Sequence, residues 1–161
     1  MAVDYREAWH TARGYQIEFK DIIREIDEYV SLGGKVFIGS DSQIKGGQVI
    51  FVTAICLHGN LSDRVYSKYF FKKIKLPRDS DRPLRERILK EVQLSLDLAM
   101  KLIEKYPETD IEVHVDVGRT VRSKTSKYAD MIDGWLKGAG FSCKMKPYSW
   151  ASSAVADHHT K

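Results

Sequence analysis

The sequence predicts an α/β domain on a five-stranded mixed sheet, strand order 3-2-1-4-5, with helices on both faces and one added helix ahead of the first strand. Three observations carry that expectation. Residues 36–74 hold three apolar runs joined by short turns containing Gly and Asn, the pattern of an antiparallel meander. Beyond them helical and strand-like periodicities alternate, which requires crossover connections and therefore parallel strands. Two strands end on an aspartate: Val36-Phe37-Ile38-Gly39-Ser40-Asp41 and Ile111-Glu112-Val113-His114-Val115-Asp116. Side by side and parallel, they would deliver both carboxylates to the carboxyl edge of the sheet, where open α/β folds bind ligands.

Residues 1–17 are polar and aromatic without periodicity and read as an N-terminal arm. Phe19, Ile22, Ile23, Ile26 and Val30 recur at helical spacing, and Gly33-Gly34 stops that helix. The first strand, 36–41, follows, and Lys45-Gly46-Gly47 is a turn signal. Residues 48–57 (QVIFVTAICL) are apolar on both alternating faces, as in a central strand covered on both sides. His58-Gly59-Asn60 is expected to turn the chain. The third strand, 65–74, alternates loosely, and Lys68, Lys72 and Lys73 are of the kind that blunts an open sheet edge. Residues 77–83 (PRDSDRP) form a loop. Leu84, Ile88, Val92, Leu96, Ala99 and Ile103 mark a long helix over 84–106, ended by Pro107. The second aspartate strand, 111–117, leads into a basic loop, 118–124. A helix follows with Tyr128, Met131, Ile132, Trp135 and Leu136 at helical spacing, closed by Gly138 and Gly140. Residues 141–146 form a short strand, Pro147 breaks it, Ser149 is placed to cap, and 150–160 form the last helix.

At 161 residues the chain is expected to be one domain, 1–161, long enough for a real core. Its 43% hydrophobic and 30% charged content is that of a globular protein. A net charge of +4 is compatible with a nucleic-acid partner without specifying one. Cys56 and Cys143 lie far apart without metal-ligand spacing, and Cys56, inside an apolar run, reads as a buried free thiol. The N-terminus has no charged-then-apolar leader, and no apolar stretch approaches the roughly 20 residues of a membrane span. A cytoplasmic protein with no membrane association is the expectation.

Each acid has a plain structural reading when taken alone. Asp41 can serve an Asx-turn, although Gly39 beside it leaves room for a ligand to approach. Asp116 can bond the following loop, but Val113, Val115 and Val117 set it at the rim of a core, where a carboxylate requires a partner or a metal. On the long helix Glu86 shares a solvated stripe with Lys90, Gln93 and Asp97. Glu91 lies on the line of Leu84, Ile88, Ser95, Leu98 and Leu102, so it is the better ligand candidate and Glu86 the alternative. Asp157 sits in the last turn of the last helix, where negative charge is mildly unfavourable. It follows the small-residue run Ala151-Ser152-Ser153-Ala154, which lets a helix approach a sheet closely. His158 and His159 suit a helix C-terminus, and His158 is also a candidate for proton transfer or phosphate contact. Two acids at one strand edge repel unless a cation lies between them, and hard Mg²⁺ or Mn²⁺ prefers oxygen ligands.

Together the acids run Asp41 on the first strand, Glu91 on the helix after the third, Asp116 on the fourth and Asp157 on the final helix. That set, on a βββ-α-β-α-β-α succession, resembles the ribonuclease H-like superfamily of nucleases and resolvases. The segments Ile38-Gly39-Ser40-Asp41-Ser42-Gln43, Val113-His114-Val115-Asp116-Val117, Lys146-Pro147, Ala156-Asp157 and Thr160-Lys161 resemble its YkuK-like family of predicted nucleases, from about residue 17 to the end. The resemblance implies a ribonuclease H-like fold and a metal-dependent nuclease acting on RNA, DNA or a hybrid. Its catalytic set would be Asp41, Glu91, Asp116, Asp157 and His158. The four carboxylates would hold two Mg²⁺ or Mn²⁺ ions roughly 3.5–4 Å apart, with Asp41 bridging, Asp116 and Glu91 on one ion and Asp157 on the other. Arg119, Arg122 and Lys124, with Lys127 nearby, are the candidate phosphate-binding residues.

The alternative is a non-catalytic nucleic-acid-binding or protein-interaction module on the same fold, distinguished by metal-independent binding without cleavage. A nucleotide phosphotransferase ranks lower, because it calls for glycine-rich phosphate loops in two domains. A zinc site is poorly supported: His10, His58, His114, His158 and His159 show no clustered Cys/His pattern.

Overall fold

The structure, a computed structural model, describes residues 8–78, 84–118 and 124–161. Three long strands come first among the sheet's main elements: β3 (Val36–Lys45), β4 (Gln48–Leu61) and β5 (Arg64–Pro77), paired antiparallel in sequence. They are preceded by the short strands β1 (Trp9–Thr11) and β2 (Gln16–Ile17) and by helix α1 (Phe19–Ser31). After β5 come α2 (Leu84–Lys105), β6 (Ile111–Gly118), a 3₁₀ turn (Ser126–Tyr128), α3 (Ala129–Gly138), β7 (Ser142–Lys146) and a π-helical segment (Ala151–Ala156).

The sheet has seven strands in the order β2-β1-β5-β4-β3-β6-β7, not the five expected, so its full order differs from the one anticipated. The five longer strands keep their anticipated neighbours, and the two added strands come from the segment read as an arm. Trp9 pairs with Lys72 and Thr11 with Phe70 on the outer edge of β5. Three and two residues are too few to show a period in sequence; the hairpin is held by Trp9, which is buried with its ring 5.9 Å from Phe19. Lys72 is therefore not an exposed edge guard: β1 covers its strand there and it is buried.

A second correction concerns the β4–β5 turn. β4 runs straight through His58-Gly59-Asn60, with Gly59 paired to Tyr66. The chain reverses at Ser62-Asp63, which hold φ of 47° and 65° between the pair Leu61 and Arg64. Two central residues at positive φ are the hairpin turn that matches strand twist, and Asp tolerates that region.

Helices cover both faces unequally. Ile22 and Ile26 of α1, Val92 and Leu102 of α2, and Ile132 and Leu136 of α3 join one core with Ile38, Ile55 and Val113. Among the described residues the opposite face receives the π-helical segment, whose Ala151 and Ala156 pack on Ile50, Val52, Ala54 and Phe71. An α-helix over 150–160 capped by Ser149 was expected there. Instead residues 151–156 are π between helical Trp150 and Asp157, and the Ser149 carbonyl accepts from the Ser152 and Ser153 N–H groups. The Ala151 N–H donates to His114 Nδ1 at 3.0 Å instead, so a buried side chain of β6 does the capping. The close approach depends on Gly39: a Cβ there would lie 2.4 Å from Ala151 C and Ser152 N.

Candidate active site

β3 and β6 run parallel with Val36 opposite Ile111 and Gly39 opposite His114, where the pairing ends. Continuing that register by two residues sets Asp41 level with Asp116, on strand ends that then splay apart. Side chains alternate along a strand. Ser40 and Ser42 therefore face α2, whereas Gly39 and Asp41 face the C-terminal helix.

The α2 side is organised by matched rises. Ser95 Oγ lies 2.7 Å from Ser40 Oγ, and Ser42 Oγ donates to Glu91 Oε2 at 2.9 Å. Four helical residues advance about 6 Å and two strand residues about 6.6 Å, so both pairs meet in register. Arg87, one turn before Glu91, donates from Nε to Ser42 Oγ at 3.0 Å, which orients that hydroxyl's proton toward Glu91. Glu91 is 9% exposed, whereas Glu86 is exposed.

Three bonds seat the C-terminal helix on the other side. Ser152 Oγ donates to the Ser40 carbonyl at 2.6 Å, the Ala151 N–H to His114 as above, and Thr160 Oγ1 to Gln43 Oε1 at 3.3 Å. They bring Asp157 close enough to Asp41 to raise its pKa. His114 is held in turn by Glu112 at 2.7 Å from Nε2; with Nδ1 accepting, Nε2 carries the proton and the ring is neutral, in line with a pKa pushed down mainly by burial.

Asp41 thus feels Asp157 and Asp116, and Glu91 feels Asp41 and Asp116. Asp41, 6% exposed, has its pKa pushed up to about 8, first by burial, then by Asp157 and the Asp116 charge, against the Ser42 backbone N–H. Glu91 is raised well above the ordinary carboxylate range, again by burial first and then by Asp41, against the Ser42 bond; Asp116 raises it further and Arg87 opposes. Lys146 Nζ lies 3.0 Å from Asp116 Oδ1, yet that buried oxygen has no hydrogen-bond partner. Ser40, Glu91 and Asp116 line a cavity of ≈ 10 Å³, near the lower limit for one water. Among the described residues no three His, Cys, Asp or Glu side chains already form a metal-holding group. Each acid is engaged elsewhere: Asp41 with Asp157, Glu91 with Ser42, Asp116 with Lys146.

A raised carboxyl pKa has a definite consequence for stability. The unfolded Asp41 loses its proton near pH 4 and the folded one near 8, so between those values the native state binds more protons. Its contribution is full below about pH 4 and is lost as pH rises to 8. In EDTA the melting temperature is expected to fall across that window by calorimetry, and a flat profile would remove the buried proton from Asp41.

His158 is exposed beside Asp157, with its ring 4.8 Å from that of His159. His159 stacks on Phe71 at 3.7 Å and meets the Tyr69 hydroxyl at 2.8 Å; burial, then His158 and Lys73, lower its pKa to about 4. Arg119 and Arg122 lie outside the described residues, and Lys124 is exposed just beyond them. Ser42, Arg87, His114 and Lys146 are the site's supports that the sequence reading did not single out. A usable signal existed for two of them: Arg87 is four residues before Glu91 on one helical face, and Glu112, His114 and Asp116 alternate along one strand face. A larger cavity, ≈ 380 Å³, lies between the β1–β2 hairpin and α2 and is lined by Trp9, Phe19, Leu94 and Lys72; it holds none of the four acids.

No helix of the described residues is long and apolar enough to cross a membrane. Compared with known proteins, residues 18–161 match the family profile described as Ribonuclease H-like. No curated protein matches.

Proposed function

This chain belongs to the ribonuclease H-like family, and from that premise we propose that it is a metal-dependent nuclease hydrolysing phosphodiester bonds of nucleic acid. The observation that carries the reading is that Asp41 feels Asp157 and Asp116 while Glu91 feels Asp41 and Asp116, acids that come from four separate elements. The likeness of their flanking segments to YkuK-like proteins belongs to the same proposal.

The donor set suits hard divalent cations such as Mg²⁺ or Mn²⁺. All four groups offer oxygen, two are buried acids with raised pKa values, and Asp116 Oδ1 is buried with the Lys146 ammonium beside it but no aligned hydrogen bond. Asp41, the central member, would hold the ions together with Glu91, Asp116 and Asp157. Bound there, the ions would supply an activated water and charge stabilisation for the leaving oxygen. The chain's own task is to hold the acids: Arg87 and Ser42 orient Glu91, Lys146 partly offsets Asp116, and the Ser152 and His114 bonds keep Asp157 over the strand end. Asp41 gives up its proton before it serves as a ligand, and exposed His158 is placed to pass protons to solvent. Lys124, with Arg119 and Arg122, would contact phosphates.

Labelled RNA, DNA, hybrid and branched substrates incubated with Mg²⁺, Mn²⁺ or EDTA test the reading. Cleavage that stops in EDTA and in Asp116→Asn is expected. A second reading, a non-catalytic nucleic-acid-binding module, draws on the absence of a ready metal-holding group among the described residues. Metal-independent binding with no cleavage of any substrate would select it.

A further inference from the structure

One short helix cannot cover the face of a seven-stranded sheet, and the strip it leaves open is charged. Directly opposed residues in adjacent strands share a face. Asp41 opposes Val52, which opposes Lys73; Gln43 opposes Ile50, which opposes Lys75; Lys45 opposes Gln48 at the hairpin end. Lys45, Lys73 and Lys75 therefore stand on the same face as Asp41. They lie alongside and beyond His159, which stacks on Phe71, and Thr160, which bonds Gln43. Lys45 and Lys75 are exposed and Lys73 is half-buried.

We propose that Lys45, Lys73 and Lys75 form a phosphate track that carries the sugar–phosphate backbone of one nucleic-acid strand across the open sheet face toward the carboxylates. The direction of travel rests on the nuclease reading; the track itself does not.

Three ammoniums gathered without acids are costly unless a polyanion offsets them. Among the described residues no carboxylate pairs with any of the three, and the charges acting on Lys73 are Lys45 and Lys75, which together with burial lower its pKa. Lys73 stands level with Asp41 across Val52, so the strip is continuous with the acids. Lys73 lies two strands from Asp41, about 10 Å at a spacing of 4.7–4.9 Å. β1 leaves β5 unpaired beyond Lys72 and β6 leaves β3 unpaired beyond Gly39, so the three lysines rim a three-stranded stretch of sheet, with Ile50 buried between Gln43 and Lys75.

The test is binding of fluorescein-labelled 20-nucleotide single-stranded DNA and RNA to the full chain in EDTA, by anisotropy, across a salt series. The triple variant Lys45→Gln, Lys73→Gln, Lys75→Gln is compared with Lys20→Gln, Lys105→Gln, Lys137→Gln, which removes equal charge from α1, α2 and α3. Single-strand contacts contribute about 0.7 each to the slope of log K against log salt. The track variant is expected to lose about 2 units of slope and the control less than half a unit, with Lys75→Gln alone losing about 0.7. Thermal melts verify that each variant is folded. Equal losses in both triples, or none in the track variant and in Lys75→Gln, overturn the proposal. Loss of slope with no cleavage in Mg²⁺ or Mn²⁺ leaves the track standing and removes the hydrolytic reading.

Discussion

Asp41→Asn is expected to lower Mg²⁺-dependent hydrolysis at least about 10³-fold and, at the same time, to raise the melting temperature of the metal-free protein at pH 8. The two signs have one cause. Asp41 is buried and shares its surroundings with Glu91, Asp116 and Asp157, so removing its charge relieves repulsion that only cations or protons otherwise relieve. The amide keeps the shape and can donate to Asp157, but as a neutral donor it is a far weaker ligand for a hard divalent cation than a carboxylate. A 10³-fold loss corresponds to about 4 kcal/mol of transition-state stabilisation, the scale of a metal's contribution to developing charge. Initial rates on a labelled substrate and calorimetry in EDTA read the two effects. An unchanged rate would remove Asp41 from the chemistry. A lower melting temperature would show that its carboxyl stabilises the metal-free fold.

Gly39→Ala is expected to be the most damaging single-methyl change on this face. Its Cβ would meet the backbone of Ala151 and Ser152 at 2.4 Å, and backbone cannot rotate away. Relief requires the C-terminal helix to lift. Overpacking of this kind costs about 1–3 kcal/mol, occasionally more. For a chain of this size that lowers the melting temperature by roughly 2–4 °C per kcal/mol. Lifting the helix also strains the Ser152 and His114 bonds that seat Asp157, so activity falls further than stability explains. Gly134→Ala is the control: an added Cβ in α3 meets nothing within 4 Å and is expected to be neutral or slightly stabilising. A Gly39→Ala protein with wild-type melting and activity would contradict the packing.

What could be read from the residues, and what could not, divides along physical lines. The aspartate strands were legible because Val36-Phe37-Ile38 and Val113-His114-Val115 carry enough apolar surface to mark a buried sheet, and each acid stands at its end. Glu91 was separable from Glu86 because it shares a helical line with Ile88 and Leu98. Local pattern failed where a partner decides the outcome. Trp9 to Thr11 is a strand only because β5 offers an open edge. Ser62-Asp63 turns the chain although Gly59 advertises a turn nearby, because pairing with β5 continues to Leu61. The stretch Ala151-Ser152-Ser153-Ala154 fits an α-helix as well as a π-helix; contacts with Ser40 and His114 decide between them. The supports of the site escaped for the same reason, since Ser42 and Arg87 become a pair only when α2 lies on β3.

The π form of residues 151–156 has a further consequence for aim. Ser152 anchors the helix to the Ser40 carbonyl, and Asp157, five residues on, meets the next residue of the same strand. At 3.6 residues per turn, positions five apart point about 140° away from each other, so an ordinary helix holding one of them against the sheet would turn the other outward. The wider winding, closed by bonds from one residue to the fifth after it, brings both to a single side. In this corner of the molecule the anchor and the chemistry are five steps apart because the widened coil brings the fifth step back to nearly the same side.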